Sequence, residues 1–245
     1  MGLLSDAPDA PATSLADLTT DQVARAATRS TILAIPVGST EQHGPHLPMS
    51  TDTDIAVALS QALARERDDV VVAPGLPYGS SGEHDGFAGT LSIGREATRI
   101  VLVELVRSAT ATFHRVLLVV GHGGNARPVN DAVTLLRSEG RNVVAWAPSL
   151  RGDAHAGRTE TSLMLVLHPH RVDLAHAAAG ATTPVEQLLP ALMRSGVLAV
   201  SDNGVLGDPT GATAAEGELL FAAALTDLCG RVEAWAGTSS GDIDD

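Results

Sequence analysis

Between Gly38 and Asp52 the chain carries two carboxylates, Glu41 and Asp52, and an imidazole, His43, in one loop rich in glycine and proline. Oxygen and nitrogen donors in this mixture suit the coordination of a divalent metal ion. The loop follows an apolar run at 31–37 that reads as a buried strand. A strand end in an α/β sheet is where ligand sites usually form. A second cluster, from Gly121 to Asn125, follows the apolar run 115–120 and projects His122 from a second strand end. Its glycines permit close backbone approach to a ligand, and Asn125 can donate to a substrate carbonyl. A third, His155 to Ser162, follows the run 142–147 and places Glu160 in the first turn of a helix, with His155 just before it. Together the clusters supply two or three histidines and three acids, enough for two metals sharing a bridging carboxylate. The chain therefore reads as an enzyme, a metal-dependent hydrolase.

The elements that must hold these residues follow from the apolar pattern. Strands are expected near 31–37, 69–73, 115–120, 142–147 and 197–200. Helices are expected at 15–29, 55–67, 95–113, 128–139, 158–167, 184–195 and 214–235. This alternation predicts an α/β fold with a mostly parallel sheet and helices on both faces. Residues 1–237 read as a single domain with a loose arm at 1–13, and 238–245 as a disordered acidic tail. Three long connections, 38–54, 74–94 and 201–213, are candidates for function because loops of that length are uncommon in compact domains.

Composition narrows the class. The chain has 245 residues, a net charge of −13 and 2% aromatic residues, so its core must be aliphatic. Every basic residue is arginine. The acidic balance disfavours nucleic acid and anionic membranes as partners, and the lack of lysine excludes Schiff-base chemistry on a side-chain amine. Cys229, the single cysteine, forms no intrachain disulfide and no thiolate cluster. No stretch reads as a signal peptide or a membrane span, so the cytoplasm is the expected location.

Each cluster also has an ordinary reading. A loop histidine is usually a polar side chain facing water, an acid at a helix start usually serves the helix dipole, and a glycine turn after a strand often binds phosphate. What sets these three apart is that all follow a strand at its C-terminal end. The remaining histidines carry less. His168, His170, His114 and His176 have no ligand partners nearby in sequence, and His46 reads as a neighbour of the ligands. Glu83-His84-Asp85 lines either the pocket or a subunit contact. Tyr78, Ser80, Ser81 and Arg158 are candidate pocket residues.

Taken together, the Glu41-Gln42-His43-Gly44 loop with Asp52, the Gly121–Asn125 turn and the His155–Ser162 segment resemble the creatininase family of metal-dependent amidohydrolases, in the family's order, over about 18–235. The resemblance implies an α/β/α sandwich assembled into homo-oligomers. It implies Glu41 and His122 on one divalent ion, His43 on the other, and Asp52 bridging both. Creatinine-hydrolysing members take a further ligand from a glutamate two residues after the second-cluster histidine. Here that position is Gly124, and Glu160 is expected to complete the site. His155 matches a histidine implicated in proton transfer at the scissile amide. The substrate-flanking aromatic residues of creatininases are absent around Arg151 to Ala154, which argues against creatinine, and Ala88 stands where the family usually has proline.

Within the family, the runs Gly75–Gly79, Gly82–His84 and Gly152–Ser162 are similar to the peptidases of the mycofactocin system. That similarity implies hydrolysis of a peptide bond near the C-terminus of a modified precursor peptide. The metals implied are Zn²⁺ or Fe²⁺, with Mn²⁺ also compatible. The alternatives are an amidohydrolase acting on a small cyclic amide or formamide, and a non-catalytic metal-stabilised scaffold that binds the peptide.

Overall fold

The structure, a computed structural model, describes residues 13–149 and 152–237. Nearly all of the expected arm, and the whole acidic tail, lie outside the described residues. Four apolar runs form strands: β1 (Ile32–Val37), β2 (Val70–Val72), β3 (Arg115–Val120) and β4 (Val143–Trp146). All pair in parallel, in the order β2-β1-β3-β4. Because side chains alternate across a strand, one face of β1 and β3 carries Ile32, Ala34, Leu117 and Val119, and the other Leu33, Ile35, Val116 and Leu118. Both sets are apolar because both faces are covered.

The helices that cover them are α1 (Thr20–Ala26), α2 (Thr51–Glu66), α3 (Gly94–Ala109), α4 (Ala126–Ser138), α5 (Arg158–Leu167), α6 (Val185–Ser195) and α7 (Ala214–Gly237). On the first face pack Leu59 and Leu63 of α2, Met164 of α5 and Leu228 of α7. On the second pack Leu102 and Val106 of α3 and Val129 and Leu136 of α4. The result is the expected three-layer α/β/α sandwich.

Three expectations need correction. The stretch 197–200 is not a strand but a 3₁₀ turn, Val197–Ala199, in which Val200 N donates to Val197 O at 3.0 Å. Four apolar residues are too few for periodicity to separate strand from turn, and Gly196, at φ 72°, reverses the chain just before them. The expected helix 15–29 is a 3₁₀ turn, Leu15–Asp17, followed by α1. Thr19 N donates to Gln22 Oε1 at 2.8 Å and restarts the chain as a helix. Finally, α2 begins at Thr51, so Asp52 lies in its first turn and not in the preceding loop. Thr51 Oγ1 donates to Pro48 O at 2.7 Å and Ser50 Oγ to Asp54 Oδ2 at 2.8 Å. Acids here also face the positive end of the helix dipole.

The topology creates the site. From β1 the chain passes to β2 on one side and then to β3 on the other. The C-terminal ends of β1 and β3 therefore border a switch point, where crossover connections diverge and leave a crevice.

Candidate metal centre

Glycines at the two strand ends bring the site together. A Cβ on Gly121, just after β3, would lie 2.2 Å from the carbonyl oxygen of Asp52. One on Gly38, just after β1, would meet the backbone of Thr53 at 2.5 Å. Only residues without a side chain let the first turn of α2 seat in the crevice. Glu41 and His43 then enter from the β1 loop, His122 from the end of β3, His155 from the segment joining β4 to α5, and Glu160 from the first turn of α5.

The five expected ligands and His155 converge. Asp52 sits between two histidines, with Oδ1 3.1 Å from His43 Nε2 and Oδ2 3.4 Å from His122 Nδ1. Glu41 Oε2 is 3.2 Å from His122 Nε2, and Glu160 Oε2 is 3.8 Å from His43 Nε2. Three sets, Glu41–Asp52–His122, His43–His155–Glu160 and Glu41–His84–His155, each offer ligand atoms within 4.8 Å of one another.

Two observations favour positive charge in this pocket. Glu41 Oε1 and Asp52 Oδ2 are buried with no hydrogen-bond partner, a costly state for a carboxylate oxygen that a metal ion would relieve. The field of the carboxylates also demands positive charge. Burial alone would keep His43 neutral, yet the adjoining Asp52 carboxylate raises its pKa to about 10. Burial likewise opposes charge on His122, and Glu41 overcomes it, holding the imidazole well above its ordinary value. Glu41 itself is held well below the usual carboxylate range, the His122 charge outweighing its burial. Glu160 is pushed up to about 7 by burial. His155 behaves oppositely: burial, then the neighbouring His43 and His84, press it well below its ordinary value, so at neutral pH it is an uncharged imidazole.

Other residues fall differently from expectation. Asn125 is fully buried; its Oδ1 accepts from Ser80 N and its Nδ2 donates to Gly38 O, both at 2.9 Å. Its amide pins the 74–94 loop to the end of β1, and Asn125 does not line the cavity described below, so the expectation that it donates to a substrate carbonyl is set aside. Tyr78 is exposed and Arg158 pairs with Glu216 at 2.6 Å; neither lines the cavity described below. Ser81 is buried against Ser39 and His122. Ser80 lines the cavity, and its carbonyl lies 3.0 Å from His122 Nε2. His46 bonds Thr161 Oγ1 through Nε2 at 2.9 Å, behind the ligands.

Sequence reasoning left Glu83-His84-Asp85 between pocket lining and subunit contact and gave no role to Gln42; Glu83, His84 and Asp85 all line the cavity described below. The structure turns Glu83 toward His122 Nε2 at 3.4 Å and His84 toward Glu41 Oε1 at 3.2 Å. The signal available was the cluster of titratable side chains inside a long glycine-containing loop; its direction was not encoded locally. Gly124 now has a physical reason. A Cβ there would lie 2.3 Å from both His122 Nε2 and Glu83 Oε1, so the glutamate of creatinine-hydrolysing relatives has no room and Glu83 occupies that side of the imidazole. Gly124→Ala should shift His122 and weaken metal binding by about 10- to 100-fold, the usual range for disturbing a ligand's supporting contacts. Competitive titration against a metal-binding dye checks this, and unchanged affinity would remove steric demand as the reason for glycine.

The cluster opens on a cavity of about 880 Å³. His122, His155, Glu160 and Asp52 form its floor, and Leu189 and Met193 of α6 flank one wall.

Among the described residues no helix is long and apolar enough to cross a membrane. A family model described as creatinine amidohydrolase matches residues 16–232. The mycofactocin precursor peptide peptidase of Mycobacterium tuberculosis is 49% identical over 214 residues, covering 83% of this chain and 85% of that protein. A creatininase variant solved in a Zn–Zn form superposes with a TM-score of 0.78 at 25% identity, over 94% of this chain and 100% of the other. A manganese form of creatininase gives a TM-score of 0.77 at 26% identity, over 93% and 100%. With the family model spanning most of its length, the chain belongs to the creatininase family of amidohydrolases.

Proposed function

We propose that this chain is a metal-dependent peptidase that hydrolyses a peptide bond near the C-terminus of the modified mycofactocin precursor peptide. The observation that carries the reading is the cavity of about 880 Å³ above the ligand cluster. Ligand sites run to about 300–1,000 Å³, and a volume near the upper end, with an apolar wall from α6, suits a peptide segment better than a small cyclic amide. The similarity to the peptidase of Mycobacterium tuberculosis supports the same substrate class. We read residues 1–237 as one domain acting in the cytoplasm as a homo-oligomer.

In this reading Glu41 and His122 would hold one divalent ion and His43 and Glu160 the other, with Asp52 placed to serve both. The ions, Zn²⁺, Fe²⁺ or Mn²⁺, would lower the pKa of a shared water and polarise the scissile carbonyl. The chain's own groups do the rest. His155 Nε2 lies 2.8 Å from Gln42 O, so its proton sits on Nε2 and Nδ1 is left as the acceptor. As a neutral imidazole, His155 takes a proton at Nδ1 and delivers it to the leaving nitrogen, base first and acid second. Because Asn125 is fully buried and does not line the cavity, backbone N–H groups near Gly123 and Gly124 are left to meet the developing oxyanion.

Mass spectrometry of the modified precursor peptide, incubated with metal-loaded enzyme beside creatinine and a formamide, tests the assignment. Release of a C-terminal fragment, abolished by chelator, is expected. Cleavage of a small amide alone would move the chain to another branch of the family. Metal binding without any cleavage would favour the scaffold. Separately, Glu160→Gln should empty one ion position and leave the other filled. Elemental analysis reads this as a fall from two equivalents per chain toward one, and an unchanged count would remove Glu160 from the ligands.

A further inference from the structure

The structure assigns to Gln42 and His84 a positioning role: a hydrogen bond from the Gln42 amide to His84 Nδ1 turns the protonated Nε2 of His84 toward the Glu41 carboxylate, while the Gln42 backbone fixes the tautomer of His155. This rests on the proposed metal-dependent hydrolysis and names what orients one of its ligands and its base.

The amide has one allowed orientation. Gln42 Oε1 accepts from Gly44 N at 2.9 Å, which identifies the other end as the NH₂ group. Nε2 donates one hydrogen to Gly204 O at 3.0 Å. It also lies 2.8 Å from His84 Nδ1 and 3.0 Å from His155 Nε2, with one hydrogen left. His155 Nε2 carries its own proton, pointed at Gln42 O at 2.8 Å, and so cannot accept. The remaining amide hydrogen therefore goes to His84 Nδ1. A neutral imidazole that accepts at Nδ1 bears its proton at Nε2, and His84 Nε2 is the atom 3.2 Å from Glu41 Oε1.

His84 is thus a donor facing a carboxylate, and not a metal ligand, although it stands with Glu41 and His155 in a ligand-like grouping. Groups that hold a metal's ligands fix their orientation in this way, and losing them typically costs about 10- to 100-fold in affinity or activity. The fold makes room for the device. Gly204, at φ 80°, is the only kind of residue that fits against the amide, since a Cβ there would lie 1.9 Å from Gln42 Oε1. Gln42, His84 and His155 are all buried, so water does not substitute for any of these contacts.

The direct test is ¹⁵N-histidine NMR of the wild-type, metal-loaded protein, with the His84 resonances identified by their loss in His84→Ala. His84 should show an unprotonated Nδ1 and a protonated Nε2. Kinetics of Gln42→Ala, His84→Ala and the double variant supply the second arm. Each single change should lower kcat by about 10- to 100-fold with KM nearly unchanged, and the double should be no worse than either single, because both break one chain. A proton on His84 Nδ1, fully additive losses, or a loss confined to KM would each overturn the assignment. The NMR arm needs no turnover, so it reads the tautomer even if the peptide proves not to be the substrate, and it needs no variant to be active.

Discussion

Asp52→Ala should abolish hydrolysis and lower bound metal below two equivalents per chain. Asp52 stands between two of the expected ligand histidines, with Oδ1 toward His43 and Oδ2 toward His122. Its removal takes a ligand from both positions and leaves the buried imidazoles without the charge that balances them. Metal assistance supplies several kcal/mol of transition-state stabilisation, and each 1.36 kcal/mol is a tenfold change in rate. The expected loss in kcat/KM is therefore more than about a thousandfold. Asp52→Asn, which keeps the shape, should restore little, since its amide presents a donor to one histidine. Elemental analysis together with peptide turnover decides the matter. A fully active Asp52→Ala enzyme would remove the bridged two-ion arrangement.

The second large effect is expected at His155. Its ring lies 4.4 Å, centroid to centroid, from those of both His43 and His84, and burial keeps it neutral. A residue that only moves protons can be lost without losing the ions. His155→Ala should keep two equivalents of metal while kcat falls by about 10²- to 10⁴-fold, the usual contribution of a positioned acid or base. KM should change little. The competing role is that of a ligand, because His155 offers a ligand atom close to those of His43 and Glu160. Loss of one equivalent in His155→Ala would make it a ligand and pass the proton transfer to another group.

Much of this site was legible before any coordinates. Glu41, His43, His122 and Glu160 are each tied to a strand end or a helix start by local sequence, and strand ends in a parallel sheet share one edge. Their convergence therefore follows from identifying the strands. The helix at 158–167 and the strand at 115–120 coincide with α5 and β3, because long apolar periodicities override local detail. The stretch 197–200 failed for the opposite reason: four apolar residues beside a glycine fit a turn as well as a strand.

By itself, then, the sequence determined the α/β alternation, the aliphatic core, the histidine and carboxylate chemistry and the family. Side-chain type and short-range spacing carry that information. Only the tertiary structure decided the directions of side chains held by residues remote in sequence. Gln42 reaches Gly204 and His155, 162 and 113 positions away, and its hydrogen bonds settle where two histidines keep their protons. Asn125 looks like a free donor until its amide is seen buried between Gly38 and Ser80, away from the cavity. Gly124 looks permissive until Glu83 is found against the space its side chain would fill. Hydrogen-bond donors and steric volume are shared among neighbours in space, and spatial neighbours exist only once the crevice between β1 and β3 has closed around them.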